Sequence, residues 1–242
     1  MPEASGLRPG PQRARSVAAA LARAAPVFLS PRIVAVVFVP LLVAAFAFVI
    51  VGWLAWAPLT TWLATSVFGA APGSTWPAIA AGIVAFLLLT FGALLAALAA
   101  IATLAMPVIV RVVAARDYPG LERRHGGTAA GSVVNAALTF AVFVPAWLAS
   151  LFLLALPPLF VAVSLLLSAW LNTRLFRYDA LADHADAQEM RRICRAARGR
   201  MFALGLILAP LSYIPIVNLF APLYAGVAFT YLCLDELAVA RA

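Results

Sequence analysis

Arginine is the residue type whose spacing in this chain indicates chemistry. Arg191, Arg195 and Arg198 follow at intervals of four and three residues, which places them on one face of a helix. Guanidinium groups bind oxyanions through paired N–H donors, so an arginine-lined mouth on the cytoplasmic side would concentrate anions. The same side chains would equally contact lipid phosphates or pair with nearby acids. The sequence leaves both interpretations open.

Acidic residues precede these arginines in the charged segment 174–200. Asp179, Asp183 and Asp186 fall on one face at helical spacing. Acids at the start and arginines at the end suit the dipole of a single helix. We therefore predict one helix through this segment.

A second polar feature interrupts the last apolar run, Met201–Leu234, which contains no charged residue. Pro215 and Pro222 break its middle, and Asn218 lies between them. Broken helices expose partial charges and unpaired backbone groups, which membranes tolerate only where these are buried in protein or line a wet cavity. The pattern predicts a pore or substrate site at these three residues. Alternatively, the prolines only kink a helix and Asn218 bonds a neighbouring carbonyl.

Motifs for enzymatic catalysis are missing from the sequence. It contains no H-E-x-x-H, no G-x-S-x-G and no phosphate-binding loop, and no carboxylate interrupts an apolar run to relay protons. His125 and His184 lie far apart, and Cys194 and Cys233 form no disulfide or metal pattern. We expect no enzyme, no cofactor and no metal, and any anion movement should be channel-like or facilitated.

The composition of the chain is that of a membrane protein. Of 242 residues, 65% are hydrophobic and 11% charged, with mean hydropathy +1.03, whereas soluble domains carry about a quarter charged residues. The formal net charge of +8 comes from 17 basic residues, all arginine, in segments that flank the apolar blocks. This placement argues against nucleic-acid binding and for a multi-pass protein with both termini and the charged loops in the cytoplasm.

The apolar blocks differ in length. The first two are long enough for full crossings at about 1.5 Å per residue, and the third contains Pro145 and a Pro-Pro break. That block makes either two crossings or a partly penetrating hairpin. The limbs of the last block are too short for two crossings, so we predict a re-entrant hairpin with its tip at residues 213–218, a single crossing being the rival. The predicted segments are Ile33–Ala57, Ala78–Val110, Gly131–Leu154 with Leu159–Phe176, and Met201–Tyr213 with Leu219–Leu234.

Several short stretches resemble a known family. The strongest is IPIVNLFAPLYAG at Ile214–Gly226, and LSPRIVAVVFVPLL at Leu29–Leu42 is similar to the family's N-terminal turn and apolar segment. Weaker matches are SAW at Ser168–Trp170, YD at Tyr178 and Asp179, and EMR at Glu189–Arg191. Together these are similar to the CysZ-type sulfate permeases, the bacterial branch of the etoposide-induced-protein domain.

The resemblance implies an all-α protein of the bacterial inner membrane that imports sulfate for cysteine synthesis and assembles as a homo-oligomer. It implies two long transmembrane helices, two shorter re-entrant hairpins and cytoplasmic helical loops. It also assigns a sulfate-binding turn, of which Arg32 carries over, with Ser30 and Pro31 at the family's Gly and Leu positions. Residues 1–16 are predicted to be a flexible tail before a single membrane domain at 17–242. A non-transporting scaffold or biogenesis protein of the same fold is the alternative.

Overall fold

A computed structural model describes residues 16–69, 71 and 74–242, and all regular structure in that part of the chain is helical. This confirms the predicted all-α class. Five helical segments are long and apolar enough to cross a membrane, so the protein is a multi-pass membrane protein. Of the predicted N-terminal tail, residues 1–15 lie outside the described part of the chain, which starts at Ser16. The helices are α1 (Val17–Phe28), α2 (Pro31–Trp62), α3 (Thr75–Asp117), α4 (Ala129–Ser150), α5 (Pro157–Ala182), α6 (Ala187–Ala196), α7 (Arg198–Leu208) and α8 (Pro215–Arg241).

The helices group into two compact units. One unit is Val34–Ala105, and the other is Met106–Ala242 together with the chain up to Ile33. The prediction of one domain over 17–242 stays a prediction. The first unit pairs α2 with the first part of α3 around Leu63, Ala81 and Ala85. Most of its other large apolar side chains are exposed, as bilayer-facing surface requires.

Helix α2 extends beyond the predicted span Ile33–Ala57, reaching Trp62 and a π-helical turn at Leu63–Val67. The threonines after the aromatic residues do not end the helix. Thr60 donates its hydroxyl to the carbonyl of Trp56 at 2.7 Å, and Thr61 donates to that of Ala57 at 2.8 Å. Polar side chains therefore bond inside the helix, and composition alone misplaced its end.

Helix α3 also exceeds its prediction, Ala78–Val110, because it continues to Asp117. Pro107 lies inside it without ending it. The side-chain Nε of Arg111 donates to the Pro107 carbonyl at 3.0 Å. Pro107 lacks the N–H that would bond the Thr103 carbonyl, and the Arg111 side chain gives the Pro107 carbonyl itself an additional donor.

The second unit is built around α8. This helix packs against α1, α5, α6 and α7, and most of its span from Phe220 to Arg241 is buried. Phe229, Tyr231 and Leu232 are among its fully buried side chains. A helix that is apolar on every face belongs in the centre of a bundle.

Helix α1 was not predicted as an element. Ser16 caps it by accepting the N–H of Ala19 at 3.1 Å. Helix α1 buries Ala20, Ala24 and Val27 and packs on α8. The residues after the predicted tail therefore belong to the bundle.

Helices α4 and α5 flank the predicted Pro-Pro break. Helix α4 ends in a 3₁₀ turn at Leu151–Ala155, and the two prolines occupy the first positions of α5, where a missing N–H costs nothing. Their 22 and 26 residues extend about 33 and 39 Å, and each exceeds a bilayer core of about 30 Å. Length therefore permits two crossings.

The last apolar block is a helical hairpin, and its break lies inside the predicted tip. Helix α7 passes through a 3₁₀ turn at Ala209–Tyr213, Ile214 is extended, and α8 starts at Pro215. Arg200 at the start of the hairpin donates to Glu236 near its end at 3.0 Å, so the single straight crossing is wrong. The predicted second limb, Leu219–Leu234, is too short at both ends, because α8 starts at Pro215 and runs on to Arg241.

The single helix predicted for 174–200 is also wrong. Helix α5 ends at Ala182, α6 starts after Asp186, and Ala197 separates α6 from α7. Asp186 causes the restart, because its side chain accepts the N–H groups of Gln188 and Glu189 in a capping box. Asp179 is therefore on α5, whereas Arg191 and Arg195 are on α6 and Arg198 is on α7, so the predicted arginine face is divided between two helices.

Candidate functional site

Five arginines line a cavity of about 760 Å³ beside α5, α6 and α7. The three arginines predicted as a mouth are among them, and α5 adds Arg174 and Arg177. The aromatic rings of Trp170 and Phe202 complete two of its walls. The full lining is Trp170, Thr173, Arg174, Arg177, Arg191, Cys194, Arg195, Arg198, Gly199 and Phe202.

Helix packing explains why these side chains meet. Thr173 on α5 donates its hydroxyl to the carbonyl of Met201 on α7 at 3.2 Å. One turn earlier on α5, the carbonyl of Ala169 lies against Gly205, where an added Cβ would approach it to 2.6 Å. The two helices are therefore antiparallel and in very close contact, which brings the arginine-bearing end of each to the same level.

The cavity carries an unbalanced positive charge. Among the described residues, no carboxylate lies within 4.0 Å of these five guanidinium groups. The neighbouring acids have other partners. Glu189 accepts from Arg241 at 2.8 Å and from Arg124 at 2.9 Å, and Glu236 pairs with Arg200. A lining of five cations without acids favours anions.

Glu189 is held away from this cavity electrostatically as well as by geometry. The hydrogen bond from Arg241, aided by the N–H of Asp186, lowers the pKa of Glu189 to about 2. Its carboxylate stays ionised and fixed to α8. On the cavity side of α6, burial raises the pKa of the Cys194 thiol, so that thiol stays neutral.

The remaining predicted site residues lie on two elements of the same unit, the turn after α1 and the first turns of α8. Phe28, at the end of α1, meets Phe220 and Tyr224 of α8 edge-on, with ring centroids 6.3 and 5.8 Å apart. Tyr224 also donates its hydroxyl to the carbonyl of Leu21 at 2.9 Å. These contacts place the end of α1, just before Ser30, against α8.

The turn between α1 and α2 has unused polar groups. The hydroxyl of Ser30 is buried without a hydrogen-bond partner among the described residues. Its carbonyl accepts the N–H of Ile33 at 3.0 Å, and the Arg32 side chain is exposed. Helix α2 starts at Pro31, so its positive end faces this turn.

The start of α8 is similarly polar. Pro215 is its first residue, and Asn218 donates its backbone N–H to the Ile214 carbonyl at 2.7 Å. The Asn218 side chain is exposed. Pro222 has no N–H for the Asn218 carbonyl one turn back. The helix breakers thus leave N–H donors at the helix start and a carbonyl acceptor one turn further on.

The two groups of residues form separate sites. The arginine cavity lies at the start of α7, and the Asn218 end lies beyond the 3₁₀ turn of the same limb. That limb extends about 26 Å, from 11 helical residues and five 3₁₀ residues. The sequence analysis did not predict Trp170, Arg174 or Arg177 as site residues and named Trp170 only within the SAW motif, although their spacing of four and three residues marks one face of α5.

Sequence reasoning also missed a buried charged network. Arg23 of α1 donates to both carboxylate oxygens of Asp235 at 3.2 Å, and the Tyr118 hydroxyl donates to the same carboxylate. The Arg23 guanidinium lies 4.4 Å from the ring centroid of Tyr231, whose hydroxyl donates to Asp117. Burial raises the pKa of Tyr118, so it stays a donor.

The loop after α3 is held by bonds to several elements. Tyr118 donates its hydroxyl to Asp235, and Arg124 donates to Glu122 at 3.1 Å. The Gly126 N–H donates to the carbonyl of Ala185 at 2.9 Å, so the loop has a structural role.

Comparison with known proteins gives one positive result. The model of the family described as Sulfate transporter CysZ/Etoposide-induced protein 2.4 matches residues 20–222. Searches of curated proteins and of solved structures return no match. The matched range includes the Ser30–Arg32 turn, the arginine cavity and the start of α8. This match confirms the resemblance seen in the short motifs. The chain therefore belongs to the Sulfate transporter CysZ/Etoposide-induced protein 2.4 family.

Proposed function

We propose that the protein is an anion permease that moves sulfate or a related oxyanion across the inner membrane for sulfur assimilation. The observation that carries the proposal is the contact of Phe28 with Phe220 and Tyr224, which holds the end of α1, just before the Ser30–Arg32 turn, against the proline-broken α8. That junction offers a guanidinium group, the Ser30 hydroxyl and helix N-termini, which are the donors that an oxyanion needs.

The arginine cavity would supply the second part of the path. Arg191, Arg195 and Arg198 would gather anions at the cytoplasmic mouth, and the absence of nearby carboxylates in the described residues would prevent cation entry. Asn218 and the backbone released by Pro215 and Pro222 would line the route within the membrane. The route would be channel-like or facilitated.

Radiolabelled sulfate uptake into liposomes that contain the purified protein tests this proposal. Uptake should exceed that of empty liposomes and fall about tenfold in Arg32→Gln, the loss expected for one charged hydrogen bond of roughly 1.4 kcal/mol. Asn218→Ala should also slow it. Arg116→Gln is the matched control, because Arg116 is an exposed arginine in the last turn of α3.

The proposal is contradicted if correctly folded protein, incorporated into liposomes in equal amount, moves sulfate, sulfite, thiosulfate and chloride no faster than empty liposomes do. A scaffold or biogenesis role would then replace transport. If the flux is unchanged in Arg32→Gln, the protein is a transporter but the Ser30–Arg32 turn does not lie on the path of the anion.

We also propose that both termini lie in the cytoplasm and that the protein is a homo-oligomer. Arg23 in α1 bonds Asp235 near the end of α8, which supports placing the two termini on one side. Reporter fusions at each end should give cytoplasmic signals, and opposite signals would refute the topology. Native mass spectrometry of the detergent-solubilised protein measures the oligomer, and a monomer alone would refute assembly.

A further inference from the structure

We propose that the arginine cavity binds the head group of an anionic phospholipid that carries two phosphates, of the diphosphatidylglycerol type. Phosphate esters are the anions nearest to any arginine at the membrane surface, and basic pockets between membrane helices bind such head groups. Depth, charge, volume and the adjoining apolar surface support this assignment.

Depth is the first argument. On α5, exposed Leu166 precedes Arg174 by eight residues, and on α7 exposed Leu206 follows Arg198 by eight. Because the helices are antiparallel, both leucines lie about 12 Å deeper in the apolar zone than the arginines. Trp170 lies between the two levels, as aromatic side chains do at a membrane interface. The five guanidinium groups are thus at head-group level.

Charge and volume are the second argument. A single oxyanion occupies a small part of a cavity of about 760 Å³, whereas pockets of about 300–1,000 Å³ hold ligands of drug size. A bis-phosphate head group has the size and the charge to contact arginines of α5 and of α6 together. Two phosphates leave some of the five positive charges free, so lipid binding is compatible with the proposed mouth.

The adjoining surface is the third argument. Leu166, Trp170 and Arg177 lie on one face of α5, and Gly199, Phe202 and Leu206 lie on one face of α7 by their spacing. Each face leads from the arginines to exposed apolar side chains. Acyl chains attached to a head group in the cavity would run along these two faces. A free inorganic anion would leave the apolar part uncovered.

Lipid titration of the delipidated protein in detergent, followed by native mass spectrometry, tests the proposal. Cardiolipin should bind more tightly than phosphatidylglycerol, and phosphatidylcholine should not bind the site. The double variant Arg174→Gln/Arg195→Gln should weaken cardiolipin binding about 30-fold, since each arginine near an anionic lipid contributes about fivefold. Arg116→Gln/Arg123→Gln is the matched control. Both arginines are exposed and neither lines the cavity, so their replacement should change affinity less than twofold.

Two outcomes would overturn the proposal. One is equal weakening by the control Arg116→Gln/Arg123→Gln and by Arg174→Gln/Arg195→Gln, which indicates a non-specific surface charge. The other is a thermal shift by inorganic sulfate or phosphate that the double variant abolishes, with none by cardiolipin, which identifies a free-anion site. Thermal unfolding without lipid checks that both variants fold. Sulfate flux is not a readout, so failure of the permease proposal leaves this result intact.

Discussion

The contact between Arg23 and Asp235 gives the sharpest test of the fold, because it joins residues 212 positions apart. The Asp235 side chain is 3% exposed and that of Arg23 is 34% exposed. Removing one partner of a buried ion pair costs about 3–5 kcal/mol. The partial exposure of Arg23 moves the expected value to the lower end.

We expect Arg23→Met to lower the free energy of unfolding by about 3 kcal/mol, because Asp235 keeps only the Tyr118 donor. For a chain of this size, that corresponds to a fall in Tm of roughly 6–12 °C. Asp235→Asn should cost less, about 2 kcal/mol, because the amide oxygen still accepts from Tyr118. The double variant should be more stable than the sum of the single losses predicts, by at least about 1.5 kcal/mol.

Thermal unfolding in detergent micelles, followed by tryptophan fluorescence, measures all three variants. Arg192→Met is the control, since it removes an exposed arginine with no carboxylate within 4.0 Å in the described residues; its Tm should change by less than about 2 °C. Additive losses in the double variant would refute the direct coupling. A change below about 2 °C in Arg23→Met would show that the pair does not hold α1 to α8.

Two other predictions concern stability. The pKa of Glu189 is lowered to about 2 in the folded protein, whereas its value in the unfolded chain is near 4.3. The ionised carboxylate therefore stabilises the fold above about pH 4.5, and this stabilisation is lost as the pH falls toward 2. The Tm should therefore decline on acidification in the wild type and less in Glu189→Gln, and parallel declines would contradict the Arg241 pairing. Gly205→Ala should lower the Tm by about 2–12 °C, because its Cβ would approach the Ala169 carbonyl to 2.6 Å. Gly199→Ala on the same helix meets no atom within 4 Å, and equal losses in both would refute close packing of α5 and α7.

Local signals in the sequence predicted much of the architecture. Uncharged apolar runs predicted membrane helices, because a bilayer core accepts few charges. Pro215 predicted a break in the last apolar run, since proline cannot continue a helix from before it, but α8 starts at Pro215 and not at the predicted Leu219. Helix ends were predicted less well, because Thr60 and Thr61 bond within α2 and Asp186 restarts the chain as α6. Those outcomes depend on hydrogen bonds that composition does not reveal.

The sequence by itself determined the membrane class, a break near Pro215 and the family resemblance, since each depends on residues close together in the chain. Only the tertiary structure decided which residues share a site. Arg174 of α5 and Arg198 of α7 line one cavity because Gly205 lets α7 approach α5, and the end of α1 lies against α8 because Phe28 packs on Phe220. Such contacts depend on side-chain shape across helices distant in sequence, which helical periodicity does not encode.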